Sequence, residues 1–259
     1  MTHEELTSDL KALGLLTMAS EYVESAKVAE KHRRTYEQYL SLLVKAELLA
    51  KHDARRQRLI KEAKLPRSKR IETYDWSNRE GITLGEFNRL AKGDFLREAA
   101  NIVFYGDIGV GKSHLAEALV VKLCELGKKC YFTSTHILIE QLIEAKKGLT
   151  LTHLFKRMDR YDFLVLDELG YLPQTNEGAD LLFQLISQRD ERKSILITTN
   201  LTYSEWDKVF VNPLNTAAAV DRIIHKCETF SIRGPSWRSE VAKKRKALKA
   251  EVDSQAPIN

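Results

Sequence analysis

Cysteine is scarce in this chain of 259 residues. Its three cysteines, Cys124, Cys130 and Cys227, cannot all pair with one another, and none stands in a C-x-x-C spacing. A disulfide framework and a cysteine-based zinc site are therefore both poorly supported. Long apolar runs are missing as well. No window approaches 18 apolar residues, which excludes a membrane-spanning helix. The opening MTHEELTSDLK has no basic, apolar and small-residue succession, so no secretory leader is expected and the cytoplasm is the expected compartment. Glycine is absent between Gly14 and Gly81, as continuous helix would require.

Net charge is also small, with 41 Lys and Arg against 36 Asp and Glu for a sum of +5, but it is unevenly spread. Residues 51–70 hold nine basic and two acidic side chains, and residues 233–249 hold seven basic and one acidic. The rest of the chain is net negative. Two basic stretches on an acidic body point to an anionic partner and say nothing of fold.

What is present reads as two textures. Thr2 with Glu5, and Thr35 with Gln38, are spaced as capping boxes that open helices. Leu6, Leu10 and Leu13, then Tyr39, Leu43 and Ala46, keep helical spacing. Helices are predicted from residue 3, over 17–32, and from about 36 toward Lys64, where Pro66 stops the last. Residues 66–100 form a transition with weak periodicity. The expected domains are a helical N-terminal one over 1–75, an α/β one over 76–250 and a disordered tail over 251–259. From residue 101, strands at 101–105, 129–134, 163–166 and 194–198 alternate with helices after residue 111 and at 136–147, 152–160 and 177–191. This order predicts a parallel sheet sandwiched by helices.

Residues 106–113 read Gly106-Asp107-Ile108-Gly109-Val110-Gly111-Lys112-Ser113, which fits G-x-x-x-x-G-K-[ST]. Glycines let successive backbone N–H groups wrap a phosphate, and the following helix aims its positive end at the same anion. Lys112 is the candidate to neutralise the β- and γ-phosphates, and Ser113 to offer a hydroxyl to Mg²⁺. The candidate ATP-binding stretch extends to His114, whose own side chain is expected to pack or face solvent.

The run Phe163-Leu164-Val165-Leu166 ends in Asp167-Glu168. At the carboxyl end of a buried strand, Asp167 is expected to hold Mg²⁺ and Glu168 to polarise an attacking water. A second acid favours water as nucleophile, and so hydrolysis over phosphoryl transfer to a metabolite. Asn200, just past the 194–198 strand, would position that water if the two strands are neighbours.

Together GDIGVGKS, FLVLDE and ILITTN resemble the AAA+ ATPases. The longer strings YGDIGVGKSHLAEAL, FLVLDELGYLP, SILITTNLTYSEW and YLSLLVKAELLAKHDARRQRLIKEAKLP are similar to the IstB-type helper ATPases of bacterial insertion sequences. The similarity runs to about residue 245. DnaC-type helicase loaders share that ATPase core. The resemblance implies an AAA+ core behind a small helical domain, and a homo-oligomer that depends on ATP and DNA and assists a cognate transposase. It also implies that Arg222 reaches the γ-phosphate of an adjacent subunit, and that Arg238 touches phosphate in its own. Guanidinium is permanently charged and forked to match phosphate oxygens.

Arg55, Arg56, Arg58, Lys64, Arg67, Lys69 and Arg70 are the candidate contacts to duplex DNA. With no zinc finger, RNA-recognition signature or evident helix-turn-helix, binding through phosphates without base reading is expected. The competing functions are a DnaC-like replicative helicase loader, a small-molecule P-loop kinase and an inactive ATP-dependent scaffold.

Overall fold

A computed structural model describes residues 2–67, 69–77, 79–171, 175–210 and 213–236. The chain divides into two compact units, Met1–Arg58 and Leu59–Asn259. The expected boundary near residue 75 falls inside the second unit. No helix among the described residues is long and apolar enough to cross a membrane.

The first unit is helical. α1 (His3–Ala12) opens on the capping box of Thr2 and Glu5, and α2 (Leu16–Lys31) follows after a short turn. α3 (Tyr36–Glu62) opens on the reciprocal bonds between Thr35 and Gln38. It ends four residues ahead of Pro66, whose ring disfavours helix in the residue before it. α2 has no side-chain cap of its own. Instead the buried carboxylate of Glu47, on α3, accepts from Met18 N at 2.9 Å, placing negative charge at the helix start. Leu13, Leu16, Tyr36, Leu48 and Leu49 of this unit are exposed.

The second unit is a three-layer α/β sandwich. Its strands are β1 (Asn101–Tyr105), β2 (Cys130–Ser134), β3 (Phe163–Leu169), β4 (Ser194–Thr199) and β5 (Cys227–Ser231). They pair in parallel in the order β2-β3-β4-β1-β5. It is β4, late in the chain, that separates β1 from β3, while β2 takes the edge beyond β3.

One apolar layer packs α4 (Leu84–Ala91) and α5 (Lys112–Glu125) onto the sheet, through Phe87, Leu115, Leu119, Phe163 and Val165. The other sets α6 (Thr135–Lys147), α7 (Leu151–Asp159), α8 (Asn176–Arg189) and α9 (Pro213–Ile224) against Leu164, Leu166, Leu169 and Ile197. The central strands bury every side chain but that of Glu168 and part of Tyr105, as a sheet covered on both faces should.

α4 (Leu84–Ala91) and β5 (Cys227–Ser231) escaped the sequence reading. α4 lies in the supposed transition, where its capping box, Thr83 with Glu86, precedes only two buried apolar residues, Phe87 and Leu90. β5 reads Cys-Glu-Thr-Phe-Ser, and an edge strand with one buried residue lacks the apolar run that marked its neighbours.

Candidate functional site

The phosphate-binding loop leaves β1 at the carboxyl edge of the sheet. Gly106, Gly109 and Gly111 all have positive φ, at 148°, 87° and 104°. A side chain at these positions would also collide with its surroundings. A Cβ on Gly106 would run into the Ile232 carbonyl, one on Gly109 into Ser236 Oγ, and one on Gly111 would stand 2.8 Å from Tyr74 Cε2. Glycine is thus needed both for the turn and for close approach. α5 starts immediately after Gly111, so its unpaired N–H groups face the loop. Lys112 Nζ donates to the carbonyls of Gly106 and Asp107 at 2.6 and 2.7 Å. Burial lowers the Lys112 pKa, while Asp167, Asp107 and Glu168 pull it back up.

A cavity of about 400 Å³ opens beside the loop. Ile108, Gly109, Gly111, Lys112, Ser113 and His114 line one side, and Glu168, Thr198, Thr199 and Asn200 line another. Glu168 and Asn200 line the same cavity, from the ends of the adjacent strands β3 and β4. Asp167 is not in the lining. It is 8% exposed and lies one hydrogen bond behind Thr198, whose Oγ1 donates to Asp167 Oδ1 at 2.5 Å. Thr135 Oγ1 donates to the Asp167 carbonyl at 3.0 Å and pins the backbone there.

The register between β3 and β4 explains how adjacent acids share one side. Leu166 pairs with Ile197 and Leu169 with Thr199, so Asp167 and Glu168 stand opposite the single residue Thr198. Regular alternation would send the two acids to opposite faces. The extra residue forms a bulge. Leu164, Leu166 and Leu169 then keep one face, and Asp167 and Glu168 are left to the face of α5. Glu168 absorbs the irregularity at φ 60°, and it alone of six non-glycine residues with positive φ lies within a described strand.

The third wall comes from the supposed transition, where the sequence leaves Tyr74 and Trp76 either to close the domain boundary or to touch nucleotide. Arg67, Lys69, Thr73, Tyr74, Asp75 and Arg79 line it. The buried Glu117 carboxylate accepts from Arg67 N and Lys69 N at 3.2 and 3.3 Å, and His114 Nε2 lies 2.9 Å from the Arg70 carbonyl. Lys122 pairs with Glu72 at 3.1 Å. Tyr74 packs edge-on to Trp76 and to His114, at 4.7 and 5.2 Å between ring centres. Burial pushes its hydroxyl up to about 12. The one signal in the sequence was the aromatic pair Tyr74 and Trp76 in a polar stretch; its backbone attachment to Glu117 had none.

Arg55, Arg56 and Arg58 are on α3, where Arg56 pairs with Asp53 at 3.4 Å. Lys64, past the end of α3, sits over the Tyr131 ring at 5.8 Å, and Arg70 is exposed. Arg67 and Lys69 stand on the loop's own cavity. Arg222 is at the far edge of the sheet. Its Nε is 3.7 Å from Asp190 Oδ2, its guanidinium lies 4.9 Å from the Phe183 ring centre, and the neighbouring Ile223 carbonyl accepts from Asn101 Nδ2 at the start of β1. The length of β1, roughly 15 Å at about 3.3 Å per residue, separates that point from the loop. Arg238 lies outside the described residues, as do Lys243 to Lys246; the last described residue, Ser236, touches Gly109.

A putative insertion sequence ATP-binding protein of Sinorhizobium fredii is 35% identical over 90% of this chain and 78% of its own length. The insertion sequence IS21 putative ATP-binding protein of Pseudomonas aeruginosa is 34% identical over 88% and 86%. Two solved structures share the fold. The DnaC helicase loader superposes with a TM-score of 0.53 at 24% identity, over 66% of this chain and 100% of that one. The replication initiator DnaA bound to AMPPCP and single-stranded DNA superposes with a TM-score of 0.55 at 18% identity, over 72% and 57%. The sequence profile of the IstB-like ATP binding proteins matches residues 8–247, and the chain belongs to that family.

Proposed function

We propose that the chain is a Mg²⁺-dependent ATP hydrolase that assembles with copies of itself on duplex DNA, with little regard to base sequence, and assists the transposase of an insertion sequence. The observation that carries the reading is the meeting of Lys112, Ser113, Glu168 and Asn200 on one cavity at the carboxyl edge, with Asp167 directly behind. The glycine cradle and the start of α5 fit a polyphosphate, and the Ser113 hydroxyl with the Asp167 carboxylate gives the hard oxygen donors that suit Mg²⁺. Mg²⁺, when bound, neutralises charge on the transferring phosphoryl group.

Each protein group then has a task. Lys112 holds the phosphates. Glu168 takes a proton from the attacking water, and the Asn200 amide orients that water. Arg222 is too far along the sheet to reach the phosphates of its own subunit, which supports action on a neighbour's. The N-terminal helices, with their exposed apolar side chains, supply the transposase contact. The basic residues of the 51–70 stretch neutralise DNA phosphates.

The test is ATP turnover with and without duplex DNA across a salt series, for the wild type and Glu168→Gln. DNA is expected to raise turnover, and the increase to fade steeply with salt. Glu168→Gln is expected to slow turnover by about 10²–10⁴-fold while keeping ATP-dependent assembly on DNA. Turnover indifferent to DNA would remove the nucleic-acid part of the proposal, and full turnover in the variant would remove Glu168 from it. Binding to a replicative helicase in place of the transposase would reassign the chain to loading.

A further inference from the structure

β4 runs through the centre of the sheet with all six side chains buried, and its fifth residue, Thr198, is polar where Leu196 and Ile197 before it are aliphatic. A buried hydroxyl needs partners. Thr198 has two, both on the residues of the β3 bulge. Its Oγ1 donates to Asp167 Oδ1 at 2.5 Å and accepts from the backbone N–H of Glu168 at 2.9 Å. The single proton is thus committed to the carboxylate and a lone pair to the amide. A β-branched side chain with few rotamers, wholly enclosed, keeps that oxygen in place. Thr198 is also the one β4 residue opposite the two acids.

We propose that Thr198 is a positioning residue for the phosphate-cleaving centre. Its hydroxyl fixes one oxygen of Asp167, and so the plane in which the carboxylate meets Mg²⁺. The same hydroxyl gives the Glu168 N–H its acceptor and holds the bulge that turns Glu168 onto the face of Lys112. One side chain therefore sets the geometry of both acids. The assignment rests on the ATPase reading above.

The experiment compares the wild type with Thr198→Val, which keeps shape and loses the hydroxyl, and Thr198→Ser, which keeps the hydroxyl. A fluorescent ATP analogue is titrated in EDTA and at a series of Mg²⁺ concentrations, and turnover and Tm are measured on the same samples. Binding in EDTA should stay within about twofold for both variants, because the loop is untouched. Thr198→Val should need at least roughly tenfold more Mg²⁺ for half of the Mg²⁺-dependent gain in affinity, and lose about 10–100-fold in kcat. Thr198→Ser should stay within about threefold of the wild type on both measures. Thr198→Ala gives the same comparison should the valine variant fail to fold.

A Thr198→Val protein with unchanged Mg²⁺ dependence and kcat overturns the assignment. So does a serine variant as impaired as the valine one, or a loss of binding in EDTA equal to the loss in Mg²⁺. A wild type whose nucleotide affinity ignores Mg²⁺, or which does not hydrolyse ATP, overturns the ATPase reading and the assignment with it. A Mg²⁺-responsive, hydrolysing wild type beside an unaltered valine variant overturns the assignment alone.

Discussion

The two edges of the sheet use polar residues in opposite ways. At the carboxyl edge Lys112, Ser113, Glu168 and Asn200 line an open cavity, with backbone at positive φ on both sides of it. At the amino edge the polar groups are used mainly within the fold. Arg189, 1% exposed, donates to the carbonyls of Met158, Tyr161 and Ser194 at 2.8, 3.1 and 3.2 Å, and burial lowers it to about 10. Asn101, also buried, joins Ile195 N to the Ile223 carbonyl. One edge keeps polar valence for a ligand, and the other turns most of it inward, with Arg189 Nε and Ser194 Oγ left without a hydrogen-bond partner among the described residues. Arg222 is the exception at the closed edge. It is partly exposed, and among the described residues Asp190 and the Phe183 ring meet its charge while its Nη1 has no hydrogen-bond partner.

That exception gives the largest expected effect. Arg222→Ala should lower turnover by about 10³-fold or more in assembled protein, since arginines acting on a neighbouring subunit's phosphate are worth that much. Nucleotide affinity of the dilute subunit should stay near the wild-type value. Turnover per subunit that is equal for both proteins across a dilution series would make the amino edge purely structural.

Arg189→Ala addresses the closed edge itself. Three buried carbonyls would lose their donor, at about 3–5 kcal/mol in total, and the melting temperature should fall by about 10 °C. Nucleotide affinity measured well below the new Tm should not change. A drop in affinity at that temperature would show that the two edges are not independent.

The smallest effect is a pH dependence at His114, beside the loop. Burial lowers its pKa first of all, while the Arg70 carbonyl and Glu117 raise it and Lys69 lowers it further. In the unfolded chain the ring titrates near 6.5. A depressed folded pKa means that stability is fully present above that value and is lost as pH falls below it. Half-exposed, the group should contribute well under about 1 kcal/mol, so the Tm difference between pH 7.5 and 5.5 should shrink by only about a degree in His114→Gln. A larger pH dependence in the variant than in the wild type would reverse the sign.

The sequence made these edges unequally legible. Loop, Asp167, Glu168 and Asn200 could be read because each follows a run of apolar residues that identifies a buried strand, so position along the run implies position on the carboxyl edge. The capping boxes at Thr2 and Thr35 were legible because their partners are three residues away. Glu117 holds Arg67 N from 50 residues off, and no local pattern marks such a contact. The bulge was hidden for a related reason. Phe163-Leu164-Val165-Leu166-Asp167-Glu168 reads as plain alternation until its pairing with β4 is known.

Glu168 remains in a backbone state that an L-residue occupies at a cost of about 1–2 kcal/mol, and that glycine occupies freely. Random substitution here has an easy route to a sturdier protein, through glycine or asparagine, each of which discards the carboxylate. A screen for heat resistance alone would therefore drift toward variants that fold better and do less. On the hydrolase reading proposed above, a glutamate at this position trades stability for turnover.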